Sequence, residues 1–146
     1  MSKAIVLSRV SSVGQDLSQQ TDEVLREAHK DGYTNRNIII IEDVESAIKL
    51  SEEERHGLNK MKDHINKNPN IECVYLYELS RLSRRQLVLF SIRDFLVERK
   101  IQLICLKPYF RLLEFNGEMS QTGSLMFSLF SSLSESEMML KQERMM

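Results

Sequence analysis

The run Lys3-Ala4-Ile5-Val6-Leu7-Ser8-Arg9, continuing into Val10-Ser11-Ser12-Val13-Gly14-Gln15, decides the fold. Its first half is a short, nearly unbroken apolar block, the pattern of a strand buried on both faces, and its second half is polar enough to read as a loop. Working outward, Ser18 to Lys30 reads as a helix, with Asp22 and Glu23 in its first turns and Gly32 just past its end. Ile38 to Ile41 is a β-branched run that reads as a second strand closing at Glu42 and Asp43. Ser51, followed by Glu52, Glu53 and Glu54, predicts a capped helix start, and Leu58, Met61 and Ile65 give that helix its apolar stripe. Asn68 to Asn70 breaks the pattern before a third strand, Ile71 to Leu76. A helix over Arg85 to Arg99 then leads to a fourth strand, Ile101 to Leu106, stopped by Pro108.

Strands alternating with helices predict an α/β fold: a mainly parallel sheet of four to five strands, flanked by helices on both faces. The spacing of Leu125, Met126, Leu129, Phe130 and Leu133 adds a long C-terminal helix over Ser120 to Arg144. With Met119 before it and Met145 and Met146 after it, this stretch holds six of the eight methionines. Methionine stripes at helical spacing ordinarily pack into a core, whereas a terminal helix too long for a small sheet favours packing against a partner subunit. No capping signal closes it, which suggests a helix cut partway along.

A length of 146 residues fits one domain, and 42% hydrophobic with 28% charged residues is ordinary globular composition. Cys73 and Cys105 each lie within an apolar run and read as reduced, buried thiols, pointing to a reducing cytoplasm. No membrane-length apolar stretch and no charged leader is seen. His29, His56 and His64 lie in polar helical contexts without metal-ligand spacing and read as solvated surface. A net charge of −1 means that any affinity for nucleic acid must come from local clusters.

In an open parallel sheet, the loops at the carboxyl ends of the strands gather on one edge, where ligands bind. The first strand brings Arg9 and Ser11 to that edge, the second brings Asp43, and the segment after the third brings Arg81 and Arg84. Arg9 and Ser11 are two apart and share a face of an extended chain. Arg81 and Arg84 are three apart, as neighbours on one helical turn would be. Acyl-transfer enzymes activate serine with histidine and aspartate, but no histidine follows a strand here. A serine among guanidiniums suits attack on a phosphodiester, where charge on the equatorial oxygens must be neutralised. Taken singly, Ser11 is one of 17 serines, and Arg81, Arg84 and Arg85 could be a solvated helix start. Their meeting at one edge gives them chemical meaning.

These residues resemble the resolvase/invertase family of serine recombinases. Ser8-Arg9-Val10-Ser11-Ser12-Val13-Gly14-Gln15, with Leu17 and Gln20, is similar to the stretch around the family's nucleophile. Glu78-Leu79-Ser80-Arg81-Leu82-Ser83-Arg84 is similar to the motif that supplies two further arginines. A third match runs from Glu42-Asp43 through Ser46 to Arg55-His56-Gly57-Leu58, with extra residues before Arg55, and Ser131 to Glu137 looks like part of the family's long subunit-pairing helix. The resemblance implies Ser11 as nucleophile, Arg9, Arg81, Arg84 and Arg55 as phosphate-binding groups, and Asp43 as a site carboxylate. It makes Gln15, Gln20 and Glu137 supporting polar residues.

The resemblance further implies double-stranded DNA as substrate and a 5′-phosphoserine link, with no cofactor and neither ATP nor metal required. It implies a homodimer that assembles into a tetramer, a catalytic core over residues 1–119, and the start of the dimerisation helix over 120–146, with the DNA-binding domain lying beyond it. Three positions depart from the family pattern: Ser80 where many members carry aspartate, Met138 where arginine often follows the helix glutamate, and Leu7 in place of a common tyrosine. The first leaves the general acid or base open. A catalytically silent, DNA-binding or regulatory homologue is the rival reading. A receiver-like module would want acidic residues after the first strand, and a nucleotide hydrolase a glycine-rich loop running into lysine and serine or threonine; neither is present.

Overall fold

The computed structural model describes residues 2–11, 18–45 and 50–144, the side chains at 9–11, 18, 43–45, 50–57, 138, 141, 142 and 144 excepted. The elements run β1 (Lys3–Ser11), α1 (Ser18–Lys30), β2 (Ile38–Glu45), α2 (Leu50–Lys67), β3 (Ile71–Leu76), a 3₁₀ turn (Leu79–Arg81), α3 (Gln86–Glu98), β4 (Gln102–Leu106), β5 (Tyr109–Arg111) and α4 (Gln121–Arg144). One sheet holds all five strands in the order β2-β1-β3-β4-β5. The first three pairings are parallel, and β5 returns antiparallel along β4. The expected α/β fold is therefore observed.

β1 lies at the centre of the parallel part, and Ala4, Ile5 and Val6 are wholly buried. Alternation along the strands divides the core. Ile5, Leu7, Val74, Leu76, Leu103, Cys105 and Phe110 point to the face covered by α2, α3 and α4, where they meet Met61, Leu89, Leu96 and Phe127. Ala4, Val6, Cys73, Tyr75 and Ile104 point the other way and pack with Val24 and Ala28 of α1. Both cysteines are free and buried, as the apolar runs predict. Burial pushes each thiol up to about 12.

At the end of α1 the hydroxyl of Tyr75 donates a 2.6 Å bond to Asp31, which also pairs with Arg111 of β5 at 3.2 Å. Helix α1 is thus tied to two strands that lie far away in sequence. Gly32 follows with φ +104, a left-handed conformation that ends the helix at little steric cost.

Several boundaries differ from the sequence reading. β1 runs through Ser11 and β2 through Glu45, because their backbones pair as far as Ser11 opposite Glu45; polar composition had suggested earlier ends. α2 begins at Leu50, which puts Ser51 inside the first turn, not before it. The fifth strand was not located from sequence, being only three residues long and set by the turn at Lys107 and Pro108.

α4 is anchored over its first half. A side-chain carbon at Gly123 would lie 2.2 Å from the carbonyl oxygen of Arg111, so only glycine lets the helix approach β5 this closely. Phe127 is fully buried and meets Phe110 edge-on at 6.4 Å. Ser131 is also fully buried, and beyond it no described side chain of α4 is buried. Leu125, Leu129, Leu133, Met139 and Leu140 stand exposed. The core reading of the methionines holds in part for Met126, which packs against the core, and fails for Met139. No described helix is long and apolar enough to cross a membrane.

Candidate active site

The carboxyl ends of β1, β2 and β3 form one edge. Parallel pairing sets Arg9 opposite Asp43 and Ser11 opposite Glu45, so the backbone brings these candidates side by side on neighbouring strands. Their side chains, and that of Arg55 within α2, lie outside the described residues, and so does Gln15 altogether.

What is described at this edge centres on Arg81. After β3 the chain closes a 3₁₀ turn with Arg81 N–H donating to Glu78 O at 3.0 Å, and Leu79 and Leu82 anchor the turn in the core. The Arg81 side chain is 9% exposed. A guanidinium so enclosed needs acceptors and counter-charge. Nη2 donates to Gln20 Oε1 of α1 at 2.7 Å and lies 3.4 Å from Glu78 Oε1. Leu7, Ser8, Gln20, Thr21, Tyr77 and Arg81 close around a crevice of about 10 Å³, within which Ser8 and Thr21 share a 2.6 Å hydroxyl–hydroxyl bond. Arg81 therefore lies against the strand that ends in Ser11.

Arg84 is placed differently. The 3₁₀ turn stops at Arg81, and just ahead of α3 the Ser83 hydroxyl accepts the N–H of Arg85 at 3.0 Å. The single helical turn expected to hold Arg81 and Arg84 on one face is absent, because buried Leu82 and Ser83 take the chain into α3 by another path. Arg84 instead lines a groove of about 410 Å³ between the turn and α4, together with Glu78, Ser80, Lys107, Phe130 and Glu137. Of the sequence candidates, Gln20 and Arg81 are in contact, and Arg84 and Glu137 share the groove beside them.

Two groups were not singled out by sequence. Glu78 touches Arg81 and also lines the groove of Arg84; its position three before Arg81 is the local signal that could have found it. Lys107 reaches the groove from the β4–β5 turn, over the Tyr77 ring at 5.6 Å, and nothing local marks it. Among the described residues, no group of three or more His, Cys, Asp or Glu could hold a metal ion.

The family model described as the resolvase N-terminal domain matches residues 4–146. The chain belongs to the resolvase family. A solved structure titled the N-terminal catalytic domain of TP901-1 integrase matches this resolvase domain with a TM-score of 0.61 and 22% identity, over 95% of this chain and 99% of that one. At that identity the likeness establishes a shared fold. No curated protein matches the sequence. Membership places this resolvase domain among the site-specific recombinases, a class of enzyme whose substrate is DNA.

Proposed function

We propose that this resolvase domain cleaves and rejoins double-stranded DNA through a 5′-phosphoserine formed on Ser11. The carrying observation is the contact of Arg81 with Gln20 and with the wall of β1 at Ser8, three residues before Ser11. Two motifs 61 positions apart in sequence thereby meet at one edge.

In the forward step the Ser11 hydroxyl oxygen attacks phosphorus, the bond to the 3′ oxygen breaks, and that oxygen takes up a proton. The Ser11 proton leaves to a base that the departure at Ser80 leaves unnamed. Arg9, Arg81, Arg84 and Arg55 neutralise charge on the non-bridging oxygens, a contribution on the order of three powers of ten or more for one well-placed arginine. Asp43, Gln15, Gln20 and Glu137 orient these groups. Rejoining reverses the attack from a 3′ hydroxyl, and because the phosphoester energy stays in the protein link, no ATP is consumed.

The exposed leucines of α4 support a homodimer formed through residues 120–146, with residues 1–119 as the catalytic core and a tetramer joining two DNA sites. A large exposed apolar surface on a long helix is the usual mark of a subunit contact. The test is covalent trapping: the chain is incubated with a mixed library of duplex DNA fragments, denatured, and scored for protein-linked DNA. Wild type should form the link and Ser11→Ala should not. A link that persists in Ser11→Ala removes Ser11 as nucleophile, and no link from wild type favours a silent homologue.

A further inference from the structure

We propose that Glu78 is a positioning residue, one that holds the Arg81 guanidinium in the orientation used to grip a phosphate. The proposal rests on the recombinase reading for its purpose, though not for its geometry. Glu78 Oε1 accepts a 2.8 Å bond from the Ser80 hydroxyl and lies 3.4 Å from Arg81 Nη2. The same Nη2 donates to Gln20 at 2.7 Å. One nitrogen of a planar, rigid fork is thereby held from two sides, by the turn and by α1, which fixes the plane of the whole guanidinium.

The turn itself does not need this carboxylate. Its backbone bond from Arg81 to Glu78 and the burial of Leu79 and Leu82 already close it. Nor is Coulomb attraction the main contribution, since the Glu78 side chain is 41% exposed and water screens it. What remains is direction. Ser80 fits the same account: its hydroxyl fixes the carboxylate oxygen that in turn faces the arginine. The carboxylate also borders the groove of Arg84 and Lys107, so it stands between the enclosed cation and the more open ones.

A role in orientation requires an acceptor at position 78 and not a negative charge, so glutamine should serve where alanine fails. In chain labelled at arginine with ¹⁵N, the Arg81 side-chain resonance should be sharp and protected in wild type. It should exchange on the order of tenfold faster in Glu78→Ala and stay close to wild type in Glu78→Gln. Titration with inorganic phosphate, read on the same resonance, should weaken about tenfold in Glu78→Ala and change little in Glu78→Gln. With DNA, the rate of link formation should fall in Glu78→Ala more than affinity does, and Glu78→Gln should restore it. An Arg81 signal and phosphate affinity unchanged in Glu78→Ala would overturn the proposal. So would a Glu78→Gln variant as impaired as Glu78→Ala, which would assign the effect to charge. Because resonance and phosphate readouts need no recombination, a wild type that never links to DNA would defeat the recombinase reading and leave this clamp standing.

Discussion

Arg81 donates a 2.7 Å hydrogen bond to Gln20 across 61 positions of sequence, joining the turn after β3 to the first turns of α1. A bond of this kind to a charged group contributes about 1.5–3 kcal/mol. Gln20→Ala should therefore slow DNA linkage about tenfold or more while leaving the fold intact. Arg81→Lys should cost more, on the order of a thousandfold, because an ammonium cannot satisfy Gln20, Glu78 and a phosphate with one forked plane. Single-turnover rates of linkage decide it: equal rates for Arg81→Lys and wild type would remove Arg81 from the phosphate site.

Gly123→Ala should destabilise the domain. The new methyl would meet the Arg111 carbonyl, a backbone atom that cannot swing aside, so either α4 or β5 has to shift. Overpacking of this sort costs roughly 1–3 kcal/mol, a fall of several degrees in Tm at this chain length. A melting temperature equal to wild type would show that the approach of α4 to β5 is looser than described.

Stability should decline at alkaline pH through the buried thiols. A thiol whose pKa is raised in the fold keeps its proton there after the unfolded chain has lost it, so the folded state binds more protons. The stabilisation is complete below the ordinary thiol value of 9.0 and drains away as pH climbs toward about 12 for both Cys73 and Cys105. The slope approaches 1.4 kcal/mol per pH unit for each thiol, at about pH 10 and above. Urea midpoints of wild type and the Cys73→Ala/Cys105→Ala double variant should diverge less as pH rises. Parallel curves would contradict the burial of the thiols.

Charge on the exposed stripe of α4 should break association and spare the monomer. Leu129 and Leu133 are half exposed, so Leu129→Glu/Leu133→Glu should change the stability of one chain by no more than about 0.5 kcal/mol per site. Sedimentation should show wild type self-associating and the double variant monomeric at the same concentration. A variant that still pairs would place the subunit contact elsewhere.

Much of this architecture was legible in the sequence because period and composition report local environment. β3 and α1 match their expected limits, Ile71–Leu76 and Ser18–Lys30, since apolar runs and breakers bound both. β1 and β2 were read too short at their carboxyl ends for the opposite reason. Ser11 and Glu45 look like loop residues, yet parallel pairing extends the ladder through them, and a ladder is a property of two strands at once. The three-residue β5 offered no period to detect.

The candidate site divided along the same line. Family-like motifs picked out Arg81 and Gln20, which meet. Arg84 was picked out by the same motif as Arg81 and expected beside it from their spacing, but the burial of Leu82 and Ser83 sends the chain into α3 and turns Arg84 toward α4. Tertiary packing outweighed a three-residue interval. Lys107 and the Asp31–Tyr75–Arg111 cluster depend on contacts between distant strands and left no trace in any local window.

Ser131 is the last point at which α4 is held inside the body, and the helix runs on to Arg144. Beyond Glu137, which still borders the groove of Arg84, about 10 Å of stiff rod remains, so a tilt of about 10° there sweeps its tip by roughly 2 Å. The fulcrum lies where α4 touches the turn that bears Arg81. A load on the far end thus arrives at the arginines geared down, as a small displacement with multiplied force.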